Sequence, residues 1–127
     1  MKRLLVVALF LVGLFETAVA GAVMKGQVWT NQRGSVMKIT SVDQLGRFRG
    51  TFTNNADGFD CKGQTYPVVG TNPGIQITFK VNFTRCRSVT TWQGNASGFG
   101  MSVPWVLNYF DASGKPQTMT GFDFFGQ

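Results

Sequence analysis

The chain of 127 residues has no histidine, a single glutamate (Glu16) and only two cysteines. Without histidine it lacks the commonest general base and the commonest metal-ligating side chain. The other acids are Asp43, Asp57, Asp60, Asp111 and Asp123. Four of these fall in turn or loop segments, so a paired-carboxylate hydrolytic centre is hard to assemble. Two thiols with no imidazole make a poor metal site, and no metal is expected. Beyond Phe15 no apolar run approaches the ~20 residues of a spanning helix. These absences argue against an enzyme and for a binding protein.

What is present begins with an address. Lys2 and Arg3 precede an apolar run from Leu4 to Phe15, and Ala18-Val19-Ala20 follows as a small-x-small cleavage signal. This pattern predicts a signal peptide over residues 1–20, a single mature domain over residues 21–127, and a secreted or periplasmic location. Export places Cys61 and Cys86 in an oxidising compartment, where one disulfide is their simplest use. A loop of that length stabilises a fold by roughly 3–4 kcal/mol in the chain-entropy model. Beyond residue 20, ten Lys and Arg stand against five Asp, a net charge of +5. The basic residues are scattered without a run, as on solvated strand faces. Neither a nucleic-acid partner nor, after signal removal, a membrane is expected.

The rest of the chain reads as short alternating segments separated by Gly, Asn and Asp. Strands are predicted at Gln27–Asn31, Ser35–Thr40, Arg47–Asn54, Tyr66–Gly70, Ile75–Phe83, Ser88–Gly94, Met101–Phe110 and Gln117–Phe125. Their connections are short, for example Gln32-Arg33-Gly34, Asp43-Gln44-Leu45-Gly46 and Asp111-Ala112-Ser113-Gly114. The fold class is therefore all-β, with an eight-stranded antiparallel up-and-down barrel fitting best and a sandwich as the alternative. Eight strands enclose an interior that is either filled by side chains or holds one small ligand.

The inward faces differ between the two ends of such a barrel. Trp29, Met37, Ile39, Phe48, Phe79 and Val81 alternate inward as core. At the other end the inward positions are Asn31, Ser35, Asn54, Ser88, Thr90 and Trp92, together with Asp123 if Phe122 and Phe124 face out. Burying such polar groups without partners costs about 1–3 kcal/mol each. They either satisfy one another, with or without water, or line a ligand pocket.

The segments WTNQRGS, GRFRGTFTN, SVTTWQG, WVLNYF and GFDFF occur in this order at barrel-strand spacing, over Val28 to Phe125. Together they resemble the avidin/streptavidin family of biotin-binding barrels. The resemblance implies biotin as ligand and no cofactor. It implies that Asn31 and Ser35 donate to the ureido oxygen, and that Asn54 and Asp123 accept the ureido N–H groups. Thr90 would face the ring sulfur and Ser88 the valerate carboxylate. Trp92, Trp105 and Leu107 would form walls, with Phe83 where the family often has Trp. Phe52 stands where the family usually has a Tyr donor, which implies weaker binding. Arg33 replaces a small or apolar loop residue. Lys115 stands about where tetrameric members carry a Trp that covers a neighbour's ligand. The missing Trp, with Cys61 and Cys86 in two loops beside the pocket, is similar to the dimeric branch of that family and implies a homodimer. A lipocalin-like carrier of another small ligand is the alternative, distinguished by the polar cluster.

Overall fold

The computed structural model describes residues 21–127, so the expected signal peptide lies outside the described residues. Eight strands follow in order: β1 (Val28–Asn31), β2 (Val36–Val42), β3 (Arg47–Thr53), β4 (Thr65–Thr71), β5 (Gln76–Phe83), β6 (Ser88–Ser97), β7 (Gly100–Phe110) and β8 (Pro116–Gly126). A 3-10 turn at Thr84–Cys86 separates β5 from β6. Each strand pairs antiparallel with the next, and β8 returns to β1 through Thr30↔Gly126 and Asn31↔Phe125. The sheet is thus a closed up-and-down barrel, which leaves no free strand edge.

Three hairpins are built from one local pattern, an Asn or Asp followed three residues later by glycine. In Asn31–Ser35, Asp43–Arg47 and Asp111–Lys115 the first side chain accepts the backbone N–H groups two and four residues on. Gly34, Gly46 and Gly114 close these turns at φ 81°, 78° and 81°, where a Cβ would be strained. Short polar side chains that mimic backbone acceptors make this turn from local sequence alone.

Period-2 alternation places the core as expected. Ile77, Phe79, Val81 and Phe83 of β5 are buried, and so are Ser88, Thr90 and Trp92 of β6. Ile75, expected to open β5, instead lies before the strand and is 71% exposed. The strand begins at Gln76, because Gly74 at φ 76° turns the chain there. Trp92 stacks on Phe79 with ring centroids 4.8 Å apart, and Phe52 packs against Trp92 at 4.9 Å. This aromatic layer closes the barrel across its middle and forms the floor of an open end.

Candidate functional site

That open end holds a cavity of about 380 Å³. Asn31 ends β1, Ser35 lies just before β2 and Asn54 just after β3; β6 supplies Ser88, Thr90 and Trp92. β7 contributes Trp105, Leu107, Tyr109 and Phe110, and β8 contributes Met119 and Asp123. The loop after β3 adds Ala56 to Asp60, including Phe59, and Arg33 lines the cavity from the β1–β2 turn. Nine of the eleven residues expected to contact a ligand are thus brought together. Phe52 and Phe83 do not line the cavity; both are fully buried in the packed layer beside it. Phe83 reaches the cavity indirectly, as an edge-to-face partner of Phe59 at 4.9 Å.

Turn chemistry orients Asn31. Its Oδ1 accepts the amides of Arg33 at 3.0 Å and Ser35 at 2.9 Å, filling both lone pairs of the carbonyl. The side-chain NH₂ is therefore the group left for the cavity. Asn54 is held in a related way, with Oδ1 accepting the Ala56 amide at 2.9 Å and a long 3.4 Å contact from Ser35 Oγ. Ser35 Oγ itself accepts the Asn55 amide at 2.9 Å. Its proton is then held only by the long contact to Asn54, and is available to a better acceptor.

Asp123 is the buried acid of the site, its side chain only 4% exposed. Oδ2 accepts Trp92 Nε1–H at 2.8 Å; Oδ1 accepts Gln32 Nε2–H and Arg33 Nε–H, each at 3.2 Å. Three donors, one of them cationic, stabilise the carboxylate where an isolated charge would be costly. Its neighbours on β8, Phe122 and Phe124, point outward as expected and pack on each other with centroids 4.6 Å apart. Ser88 Oγ, by contrast, is buried and has no hydrogen-bond partner. A buried hydroxyl beside a cavity and without a protein partner is free to bond a ligand or a water there.

Two further features shape the walls. Gly121 on β8 lies directly opposite Trp105 on β7, and a Cβ there would overlap the indole ring. The glycine lets Trp105 lie flat against the β8 backbone. Cys61 and Cys86 form a disulfide with Cα atoms 5.9 Å apart, tying the loop after β3 to the turn before β6. Both tied segments line the cavity. Tyr109 and Met119 escaped the sequence reading. Tyr109 continues the Trp105–Leu107 face of β7, and Met119 sits opposite Leu107 in the β7–β8 register. Lys115 lies in the β7–β8 turn, where its backbone N–H bonds to Asp111.

Comparison with known proteins agrees with this architecture. The Avidin family model matches residues 19–126. Afifavidin from Afifella pfennigii is 37% identical over 105 residues, 76% of this chain and 65% of that protein. The chain therefore spans just under two thirds of that relative's length. Hoefavidin from Hoeflea phototrophica is 32% identical over 114 residues, 78% of this chain and 69% of that protein. Among solved structures, the bradavidin2–biotin complex is 39% identical with a TM-score of 0.77, covering 82% of this chain and 97% of that one. The rhizavidin–biotin complex is 33% identical with a TM-score of 0.73, covering 81% and 91%.

Proposed function

Because the chain belongs to the Avidin family, we propose that it binds biotin in the open end of its barrel, as a non-catalytic ligand holder. The observation that carries this reading is the unfinished hydrogen bonding of the mouth. Asn31 presents an NH₂, Ser35 holds a loosely engaged O–H, and Ser88 has no partner at all. A cyclic urea completes this set. Its oxygen takes the Asn31 and Ser35 protons. As Ser35 turns toward that oxygen, its long contact to Asn54 Oδ1 is released, and the vacated lone pair accepts one ureido N–H. Asp123 accepts the other, and its ionised form makes that bond charge-assisted. Thr90 then faces the ring sulfur and Ser88 the valerate carboxylate, with Trp92, Trp105 and Leu107 as apolar walls. Phe52 and Phe83 support those walls from behind.

A calorimetric and thermal-unfolding titration with biotin tests this. At a thousandfold excess over Kd the folded barrel gains about 4 kcal/mol by mass action, a rise in midpoint of many degrees. An unchanged midpoint at millimolar biotin would sink the reading. Two finer points belong to the same proposal. Export to an oxidising compartment is supported by the disulfide, which is rare in reducing cytosol. A homodimer is supported by the outer face of β7 and β8, which exposes Val106, Phe122 and Phe124. Light scattering at micromolar concentration should give twice the monomer mass; a monomer or tetramer mass would reject the dimer.

A further inference from the structure

Arg33 does more than stand at the rim. Its guanidinium bends back over the cavity, with Nε 3.2 Å from Asp123 Oδ1 and Cζ 5.9 Å from the centroid of the Trp105 ring. Its side chain is 45% exposed while its partner acid is buried. The cation therefore reaches inward to an acid of the pocket wall, unlike a surface ion pair between two solvated chains. The chemistry of that contact is the chemistry proposed for the ligand. A guanidinium is planar, with N–H donors around a trigonal carbon; a cyclic urea is planar, with N–H donors flanking a trigonal carbon. Both suit the same carboxylate acceptor and the same aromatic wall.

We propose that Arg33 is an internal occupant of the pocket, a residue that sets its affinity by holding the urea's acceptor until a ligand displaces it. The inference rests on the biotin reading given above. A carboxylate offers about four lone-pair sites, and Gln32, Arg33 and Trp92 fill three of them. The two donors on Oδ1 leave that oxygen saturated while Arg33 is in place. Swinging the side chain out needs only rotation about its own bonds, because the Asn31 side chain and Gly34 hold the turn backbone independently of the guanidinium. The apparent Kd of such a pocket is its intrinsic Kd divided by the fraction of molecules with Arg33 out. The penalty falls on association, since the ligand meets a closed site and leaves an open one.

Stopped-flow association and dissociation of biotin with the wild-type chain and the Arg33→Ala variant test this. The expected result is association about five- to tenfold faster in the variant, dissociation unchanged within twofold, and Kd tighter by the same factor. Salt raised from 0.05 to 1 M should accelerate the wild type only modestly, because a pair with one buried partner is screened less than a solvated one, and should not accelerate the variant. Slower association of Arg33→Ala, with wild-type association falling as salt rises, would make Arg33 a steering charge for the ligand's carboxylate and overturn the proposal. Unchanged association with faster dissociation would make it a brace for Asp123, and would also overturn it. If both proteins bind biotin at equal rates, only this inference fails. If neither binds at any ratio, the biotin reading fails and the inference falls with it.

Discussion

Each end of the barrel buries an asparagine, and the two are used in opposite ways. At the closed end Asn72 is 2% exposed, and its hydrogen bonds are filled. Oδ1 accepts the Val23 amide at 3.0 Å, while Nδ2 donates to the carbonyls of Gly74 at 3.1 Å and Gln76 at 2.7 Å. Its own amide donates to Gly46. At the open end Asn31 has a filled oxygen and an NH₂ left over, and Ser88, 3% exposed, is bonded to nothing. Burial of a polar side chain therefore does not mark a site. A buried polar side chain whose hydrogen bonding is incomplete does.

The largest effects should separate the two ends cleanly. Asn72→Ala leaves one amide and two carbonyls without partners and is expected to lower stability by about 2–3 kcal/mol, with biotin affinity unchanged in the folded fraction. Asp123→Ala is expected to do the reverse, weakening biotin by about a hundredfold while denaturant stability falls by less than in Asn72→Ala. Urea unfolding and calorimetry on both variants check the crossover; equal losses in both assays would erase the distinction between the ends.

Next comes Phe52, whose ring sits between Trp92, Phe83 and Phe125. Phe52→Tyr adds the hydroxyl that the resemblance implies as a third donor to the ureido oxygen. With that hydroxyl extending from the packed layer into the cavity, biotin is expected to tighten by about ten- to a hundredfold, the worth of a bond to a partly charged acceptor at roughly 1.5–3 kcal/mol. Calorimetry showing no tightening, with stability lost, would place the new hydroxyl in the packed layer rather than the pocket. Ser88→Ala should act more weakly. Removing an unpaired buried hydroxyl leaves stability equal or slightly higher, while biotin weakens by less than tenfold, because one ordinary hydrogen bond is worth about 0.5–1.5 kcal/mol. A clear loss of stability would mean that Ser88 is satisfied without a guest.

The smallest effect concerns the rim. Hydrogen bonds from the Ser113 hydroxyl, the Lys115 amide and the Gln117 side chain hold the Asp111 carboxyl down at about 2. Because folding lowers this pKa, its contribution is present above the ordinary carboxylate range and is lost as pH falls toward 2. The β7–β8 turn should therefore loosen between about pH 4 and pH 2. A thermal midpoint followed over that range should fall slightly more in the wild type than in Asp111→Asn; parallel curves would show that the turn does not need the charge.

Much of this molecule is legible in the chain itself. SVTTWQG showed by alternation alone that Ser88, Thr90 and Trp92 share a face, and the face is buried at the cavity. The glycine turns were readable because an Asx side chain and a glycine three residues on act within five residues. Ile75 was misread because alternation continues through a residue that the Gly74 turn leaves outside the strand. Phe52 and Phe83 show a different limit: parity places a residue inward, but only neighbouring rings determine whether it lines a cavity or lies behind its wall.

The strands, their inward faces, the turns and the two cysteines follow from the chain alone, because each depends on short-range backbone preference or on residue type. Which polar groups are finished and which are left open is set by the folded barrel. The partners involved are remote, with Trp92 and Arg33 meeting Asp123 across 31 and 90 residues of sequence. Hydrogen bonds are completed at distances of about 3 Å, and chain order alone does not bring such groups that close. Closing the barrel does, by setting β8 beside β1 and placing Asp123 under Arg33.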